Sequence, residues 1–412
     1  MKITVIGAGI VGICCASYLQ RDGHQVTVLD PVAPGGNCSF GNSGSIAPGS
    51  CIPLSLPGVI RKVPSWLLDP EGPLRVDWRY LPTALPWLLG FIRAGRPAQA
   101  MAAASALRAL HKGTFDNYMP LLQAIPGGDS LVRRPGQIYV YETDESFQHD
   151  QGVLDIRRRH GVEMEILTGD AARAMEPSLS PLIRHAVFFP EAGHCLNPER
   201  IVQVLAGEVE RRGGIVKRER VVEFERGEQG LKSLRTEAGS YPADAVVVAA
   251  GAWSGKLAGQ LGQKIPVETL RGYHVVFRDP GIETKMSILS VTGKFSATPM
   301  EMGLRCGGTI EIAGFDKKPD YGRADIIARQ AKRLFPGLRT EPTTQWMGHR
   351  PGTPDSVPVI DRAAHVPNVY YAFGHGQTGL IGASTTGRLI AELVGGRKPV
   401  IDLAPYRASR FG

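Results

Sequence analysis

Gly7, Gly9 and Gly12, with Asp30 beyond them, are the first residues whose types and spacing point to chemistry. The pattern G-x-G-x-x-G suits a dinucleotide: Gly7 permits a tight turn, Gly9 lets the backbone approach a pyrophosphate, and Gly12 allows helix and strand to pack. A helix opening at Ile10 and Val11 would turn its free N–H groups and the positive end of its dipole toward the phosphates. Asp30 ends the next strand, at the distance where a carboxylate accepts from a ribose hydroxyl. Two further stretches bring small residues to a turn. In Ala249-Ala-Gly-Ala-Trp-Ser254, the residues Ala250, Gly251 and Trp253 read as a second backbone approach to the same ligand, or as an ordinary strand-to-helix turn. In Gly374-His-Gly-Gln-Thr-Gly379, the residues Gly374, His375, Gly376, Thr378, Gly379 and Leu380 open the last helix, either against a ligand or as a capping loop packed on a sheet. His375 fits a hydrogen-bonded structural role at least as well as a catalytic one.

These turns need elements to hold them. Residues 2–30 read as a βαβ unit, with a strand to Ile6, a helix through about Arg21, a stop at Gly23 and a second strand from Gln25. Sequence rich in Pro and Gly over 31–73 suggests a long excursion across the ligand, and helical patterns fill most of 80–124. A strand is expected over 136–141 and a helix over 151–160. Asn197 and Pro198 start another helix, which Gly213 and Gly214 end before a strand over 215–224. The run of Val246, Val247 and Val248 reads as a fully buried parallel strand, so the nucleotide fold resumes there. Alternating patterns over 263–345, with a helix over 323–334, mark a second sheet. A strand over 369–373 and a helix over 380–394 close the chain.

The fold class expected is therefore α/β: a Rossmann-type FAD-binding domain, discontinuous in sequence, with an inserted antiparallel-sheet plus helix substrate domain. The division expected is 1–60, 150–262 and 346–412 for the first, and 61–149 with 263–345 for the second. FAD is preferred to NAD because the glycine motif begins at residue 7 and the nucleotide fold returns hundreds of residues later.

Composition removes several alternatives. The 412 residues are 43% hydrophobic and 21% charged, ordinary for a globular enzyme. The net charge of +8 is dispersed and does not support nucleic-acid binding; the one dense cluster, Arg157-Arg-Arg-His, reads as the solvated face or end of a helix. Six cysteines without CxxC spacing suggest neither zinc nor a disulfide framework, and Cys14 and Cys15 read as small core fillers. The chain enters a buried strand without the pattern of a signal peptide, so a cytoplasmic location is expected. The apolar stretch over 81–92 contains Pro82 and Pro86 and falls short of the roughly 20 residues that span a bilayer. It reads as a core helix under a substrate lid, or as a surface-lying helix at the inner face of the membrane, with Trp66 nearby and Arg93 and Arg96 following.

The GAGIVG motif, Ser39-Phe-Gly-Asn-Ser-Gly, Trp346-Met-Gly-His-Arg-Pro-Gly and Phe373-Gly-His-Gly together resemble the D-amino-acid dehydrogenase branch of the D-amino-acid-oxidase-type, glutathione-reductase-like flavoproteins. Val63-Pro-Ser-Trp-Leu-Leu-Asp-Pro-Glu-Gly-Pro-Leu, Ala297-Thr-Pro-Met-Glu-Met-Gly-Leu-Arg and Arg271-Gly-Tyr-His are similar to glyphosate oxidoreductase and D-hydroxyproline dehydrogenase-like members. The resemblance covers nearly the whole chain. It implies non-covalent FAD, since covalent relatives use a cysteine near the last flavin loop and no cysteine follows Cys306. It adds Ser39, Asn42, Ser43 and Val222 to the cofactor residues. It implies hydride transfer from the α-carbon of an amino acid to flavin N5, with D-proline and cis-4-hydroxy-D-proline ranked first and sarcosine-like N-substituted glycines as an alternative. Another alternative is an FAD-bearing subunit of an electron-transfer complex. Arg350 corresponds to the arginine that clamps the substrate carboxylate. Arg271 and Tyr273 are expected to add a second carboxylate contact, against an ion pair and a core-packing role respectively. The reoxidant is a quinone or another respiratory-chain carrier, or oxygen.

Overall fold

The computed structural model describes residues 1–227 and 230–412. Its first sheet grows from the amino-terminal unit: the strand Lys2–Ile6, the helix Ile10–Arg21 and the strand Gln25–Asp30. Six strands lie in the order Ile215–Arg218, Gln25–Asp30, Lys2–Ile6, Ala245–Val248, Val369–Phe373, Val359–Arg362. All neighbours are parallel except the last pair. Sequence-distant strands thus flank the first one, as the valine run required. Val247 belongs to the core on one face, with Ile13, Leu19 and Leu389, while Val246 and Val248 belong to the core on the other. A strand covered on both sides has no polar face, so its sequence does not alternate. The helix Gly379–Val394 packs along Ile10–Arg21, and Cys14 and Cys15 lie wholly buried in that core.

The second sheet has nine strands. Its first five run Thr343–Gly352, Glu268–Phe277, Gly303–Ile312, Phe295–Met300, Ser287–Ser290, and Gln137–Tyr141, His185–Phe189 and Glu165–Thr168 follow. Leu74–Val76 pairs with Gly303–Ile312 as the ninth. The helix Gly322–Leu334 covers one face, where Tyr273, Val275 and Phe277 meet Ile327 and Leu334. Gly272, Gly307 and Gly308 of this sheet border a cavity shared with the first sheet.

The expected segment bounds at 150 and 346 do not follow these sheets. Glu165–Thr168 and His185–Phe189, expected with the nucleotide domain, pair into the nine-stranded sheet, and Thr343–Gly352 belongs there throughout. The reason is local: Glu165–Thr168 is a mostly exposed edge strand whose short sequence carries no alternation to read.

Candidate active site

Gly7 has a φ of +116°, and a β-carbon there would overlap the Ala249 carbonyl. The turn therefore needs glycine to let two neighbouring strands end side by side. Gly12 does not border the cavity; a β-carbon on it would strike the Gly7 carbonyl, so it allows the helix to pack on the turn. Gly7, Gly9, Ile10 and Val11 line a cavity of about 910 Å³, as does Asp30. The Asp30 carboxylate accepts from the Ala8 and Val32 backbone N–H groups, each at 2.8 Å. Burial raises its pKa, and these two N–H bonds oppose the rise.

Ser39 Oγ accepts from Ile10 N at 3.0 Å, which ties the excursion after the second strand to the start of the first helix. Asn42 accepts from Gly44 N through its side-chain oxygen, and Asn42 and Ser43 both border the cavity. A residue not anticipated holds this loop: Arg305, 1% exposed, donates to the carbonyls of Phe40 at 2.6 Å and Asn42 at 2.8 Å. Burial brings its pKa down to about 10. Its only sequence signal is its place at the end of the string Ala297–Arg305. Val222 does not line the cavity; its neighbour Val221 does, because strand side chains alternate.

Ala250, Gly251 and Trp253 line the same space, as do Gly374, His375, Gly376, Thr378, Gly379 and Leu380. The Gly376 N–H donates to Pro351 O at 2.7 Å, joining the last loop to the strand that carries Arg350. His375 is buried, with Nε2 2.8 Å from Thr386 Oγ1. Burial, then the neighbouring His111, pushes its pKa down to about 3, so the ring is neutral near pH 7. It supports the loop and is not poised to exchange protons.

Arg350 stands on the cavity face of the second sheet, opposite Leu270 in register. Its Nη1 donates to Thr309 O at 2.9 Å, and among the described residues it has no carboxylate partner. Gly272 makes its room: a β-carbon there would occupy the guanidinium position. Burial lowers the Arg350 pKa, and that same burial lifts the adjacent Cys38 thiol to about 12. An arginine therefore faces the cavity with unspent donors, the arrangement that receives a carboxylate through two parallel hydrogen bonds.

Arg271, expected at the substrate, does not border the cavity, and Tyr273 turns its hydroxyl away from it. Residues 271 and 273 alternate with Gly272 along the strand, and the Tyr273 ring joins the core beneath Gly322–Leu334. The wholly buried Arg271 lies 3.4 Å from Glu311, and the Tyr273 hydroxyl donates to Glu311 at 2.6 Å. Arg271 is thus spent on an ion pair and does not line the cavity, whereas Tyr273 borders the cavity while its hydroxyl is held by Glu311. Arg157 also departs from expectation. On the helix Asp144–Arg159, Asp150, Val153 and Arg157 share the face that borders the cavity, while Arg158 and Arg159 are exposed.

The cradle itself suits FAD. Gly376, at φ +55°, lines the cavity with nothing within 4 Å of where a β-carbon would stand, so that space lies open to a ligand. Two long helices, Ile10–Arg21 and Gly379–Val394, begin at this wall. The residues present fit a dinucleotide lying along both helix starts.

A family model described as FAD dependent oxidoreductase matches residues 2–393. The chain is 38% identical to a D-amino-acid oxidase of Bradyrhizobium diazoefficiens, over 99% of this chain and 98% of that one. It is 31% identical to a D-amino acid dehydrogenase of Agrobacterium fabrum over the full length of both. Among solved structures, an L-proline dehydrogenase from P. horikoshii superposes with a TM-score of 0.75 at 20% identity, covering 99% of this chain and 98% of that one, a likeness of fold.

Proposed function

Because the chain belongs to the family of FAD-dependent oxidoreductases, we propose that it oxidises D-amino acids at the carbon next to the amine, with Arg350 holding the substrate carboxylate. The unpaired Arg350 guanidinium at the cavity wall carries this reading. Non-covalent FAD in the cavity would supply the hydride acceptor at its N5 atom. Gly7, Gly9, Ile10 and Val11 would face its pyrophosphate and Asp30 its ribose. Ser39, Asn42, Ser43, the 250–253 turn and the 374–380 loop would enclose the rest.

Thr309 O fixes one nitrogen of Arg350, so the remaining donors set the direction from which a carboxylate is held. Fixing the carboxylate fixes the α-carbon, and most of the chemistry that the chain itself contributes is this orientation. A neutral substrate amine supplies the lone pair that forms the C=N bond as hydride leaves, and no protein general base is assigned. The start of Gly379–Val394 favours negative charge on its side of the cavity. The imine then hydrolyses to a keto acid and ammonia, or remains a cyclic imino acid. Two similar proteins carry D-amino acid names, and the motif resemblance places D-proline and cis-4-hydroxy-D-proline first.

Anaerobic loss of the flavin absorbance near roughly 450 nm tests this. D-amino acids, with the two cyclic ones fastest, should bleach the protein while L-enantiomers do not. Bleaching by sarcosine alone would replace the proposal with N-substituted glycine oxidation, and bleaching by no amine would sink both.

Among the described residues no helix is long and apolar enough to cross a membrane. We propose peripheral contact with the inner face of the cell membrane, where a quinone of the respiratory chain would take the electrons. Leu85, Leu89 and Ile92 are exposed at helical spacing on Leu81–Ala94, Leu68 and Trp78 earlier in the chain are exposed as well, and Arg93 and Arg96 are available to anionic lipid. The protein should sediment with anionic vesicles, and the double variant Leu85→Ser, Leu89→Ser should lose this. Failure of the unaltered protein to sediment would end the membrane proposal.

A further inference from the structure

Thr309 borders the cavity beside the Arg350 guanidinium and has a φ of +58°. A β-branched side chain crowds its own backbone in the left-handed region, so such a conformation is costly and persists only where the surrounding structure imposes it. Two other non-glycine residues share a positive φ among the described residues, and each has a local reason. Lys294 closes the turn between Ser287–Ser290 and Phe295–Met300, and Ser356 takes the Leu54 N–H on its own hydroxyl at 2.9 Å. Thr309 has neither: it lies within the strand Gly303–Ile312, and its hydroxyl is buried with no hydrogen-bond partner among the described residues. No side-chain hydrogen bond offsets its conformation, which leaves the backbone as the reason for it.

That backbone forms a bulge. Tyr273 pairs with Gly308 and Arg271 with Glu311, so Thr309 and Ile310 together stand opposite the single residue Gly272. An extra residue in one strand interrupts the ladder and re-aims the groups beside it. The Thr309 carbonyl accepts from Arg350 Nη1 at 2.9 Å, so Arg350 reaches across Glu268–Phe277 to the strand beyond. Its guanidinium lies over Gly272, where a β-carbon would come within 2.1 Å of Arg350 Cζ. The residue after Thr309 is held on its own account: the Ile310 N–H donates to Pro73 O at 2.8 Å, and Ile310 pairs with Leu74. The bulge, the missing side chain at 272 and the turned carbonyl thus converge on one guanidinium.

We propose that Thr309 is a positioning residue for substrate binding: its left-handed bulge turns a carbonyl onto Arg350 and so fixes the plane in which the guanidinium presents its remaining donors to the substrate carboxylate. This rests on the reading of Arg350 as the clamp for that carboxylate and adds what aims it. A guanidinium is a rigid planar fork, so anchoring one nitrogen restricts the direction of the others. Without the anchor the cation would stay at the cavity wall but turn among rotamers, which weakens a two-bond contact and misplaces the α-carbon.

Deleting Thr309 removes the extra residue, sets Ile310 opposite Gly272 and keeps Glu311 and Ile312 in register with their partners. In the FAD-loaded enzyme, pyrrole-2-carboxylate, a planar acid the size of proline, should perturb the flavin spectrum at lower concentration than its amide. The deletion should cut that acid-over-amide preference by about tenfold, the scale of a charge-assisted hydrogen bond. Anaerobic bleaching at a saturating D-amino acid should slow as well, with FAD content unchanged. Thr309→Gly and Thr309→Asn keep the bulge with residues that tolerate the left-handed region. Both should retain the preference and raise the thermal midpoint by about 1–3 °C. If the deletion does not fold, these two variants decide. Loss of the preference in both would move the effect from the carbonyl to the threonine side chain, and midpoints that fall in both would show that no strain is stored; either result overturns the proposal. So does a deletion that folds, binds FAD and keeps the preference. Arg350→Met separates this from the reading beneath it. A preference that is absent from the unaltered enzyme, or that survives Arg350→Met, removes the clamp and the role of Thr309 together; one that vanishes in Arg350→Met but survives the deletion removes the role of Thr309 alone.

Discussion

Arg350 and Arg271 stand on neighbouring strands of one sheet, offset in register by a single residue, and look out from its opposite faces. Toward the helix Gly322–Leu334, Arg271 is sealed from solvent beside Glu311, which also accepts from Tyr273 and lies 3.2 Å from Lys317. Toward the cavity, Arg350 has a carbonyl partner and, among the described residues, no acid. Charge on one face is neutralised within the protein; on the other it is left for a ligand. Burying an ion pair and burying a lone cation differ by several kcal/mol, so the missing acid on the cavity face is a feature that a substrate anion must complete.

Removing the acid from the sealed face should have the largest effect. Glu311→Gln leaves the Arg271 guanidinium, 0% exposed and with no hydrogen-bond partner of its own, without its countercharge. The expected loss is about 3–5 kcal/mol of stability, read by denaturant unfolding, with KM of the surviving enzyme unchanged. Arg271→Met should cost less, because Glu311 keeps Tyr273 and Lys317. A large change in KM with little loss of stability would reverse the assignment of the two faces.

Arg350→Met acts on the cavity face and should do the opposite. FAD content and unfolding should stay close to those of the unaltered protein. Binding of the substrate carboxylate should weaken by about 2–5 kcal/mol, roughly 30- to 5000-fold in kcat/KM. Steady-state kinetics with unchanged kcat and KM would remove Arg350 from the site.

The glycine turn was legible because it works through backbone. Gly7 needs its positive φ and Gly12 its missing β-carbon whatever lies farther away, and the strands beside them are marked by their own apolar runs. The loop at 374–380 was legible for the same reason, as small residues ahead of a helix. Arg305 was not: its bonds to Phe40 and Asn42 cross more than two hundred residues, and no local pattern links them. In Arg157-Arg-Arg-His the sequence shows three arginines alike, and only the phase in which their helix docks turns the first inward and leaves Arg158 and Arg159 in solvent.

The sequence by itself determined the FAD family, the βαβ opening, the turns against the cavity and the arginine-bearing strand, all carried by local backbone chemistry or short contiguous motifs. Strand alternation even determined that Arg271 and Tyr273 share a face opposite His274. Which face would be sealed by Gly322–Leu334 and which would border the ligand was decided by tertiary structure alone. A strand carries two equivalent faces until another element covers one, and the partners of a buried charge are chosen by that covering.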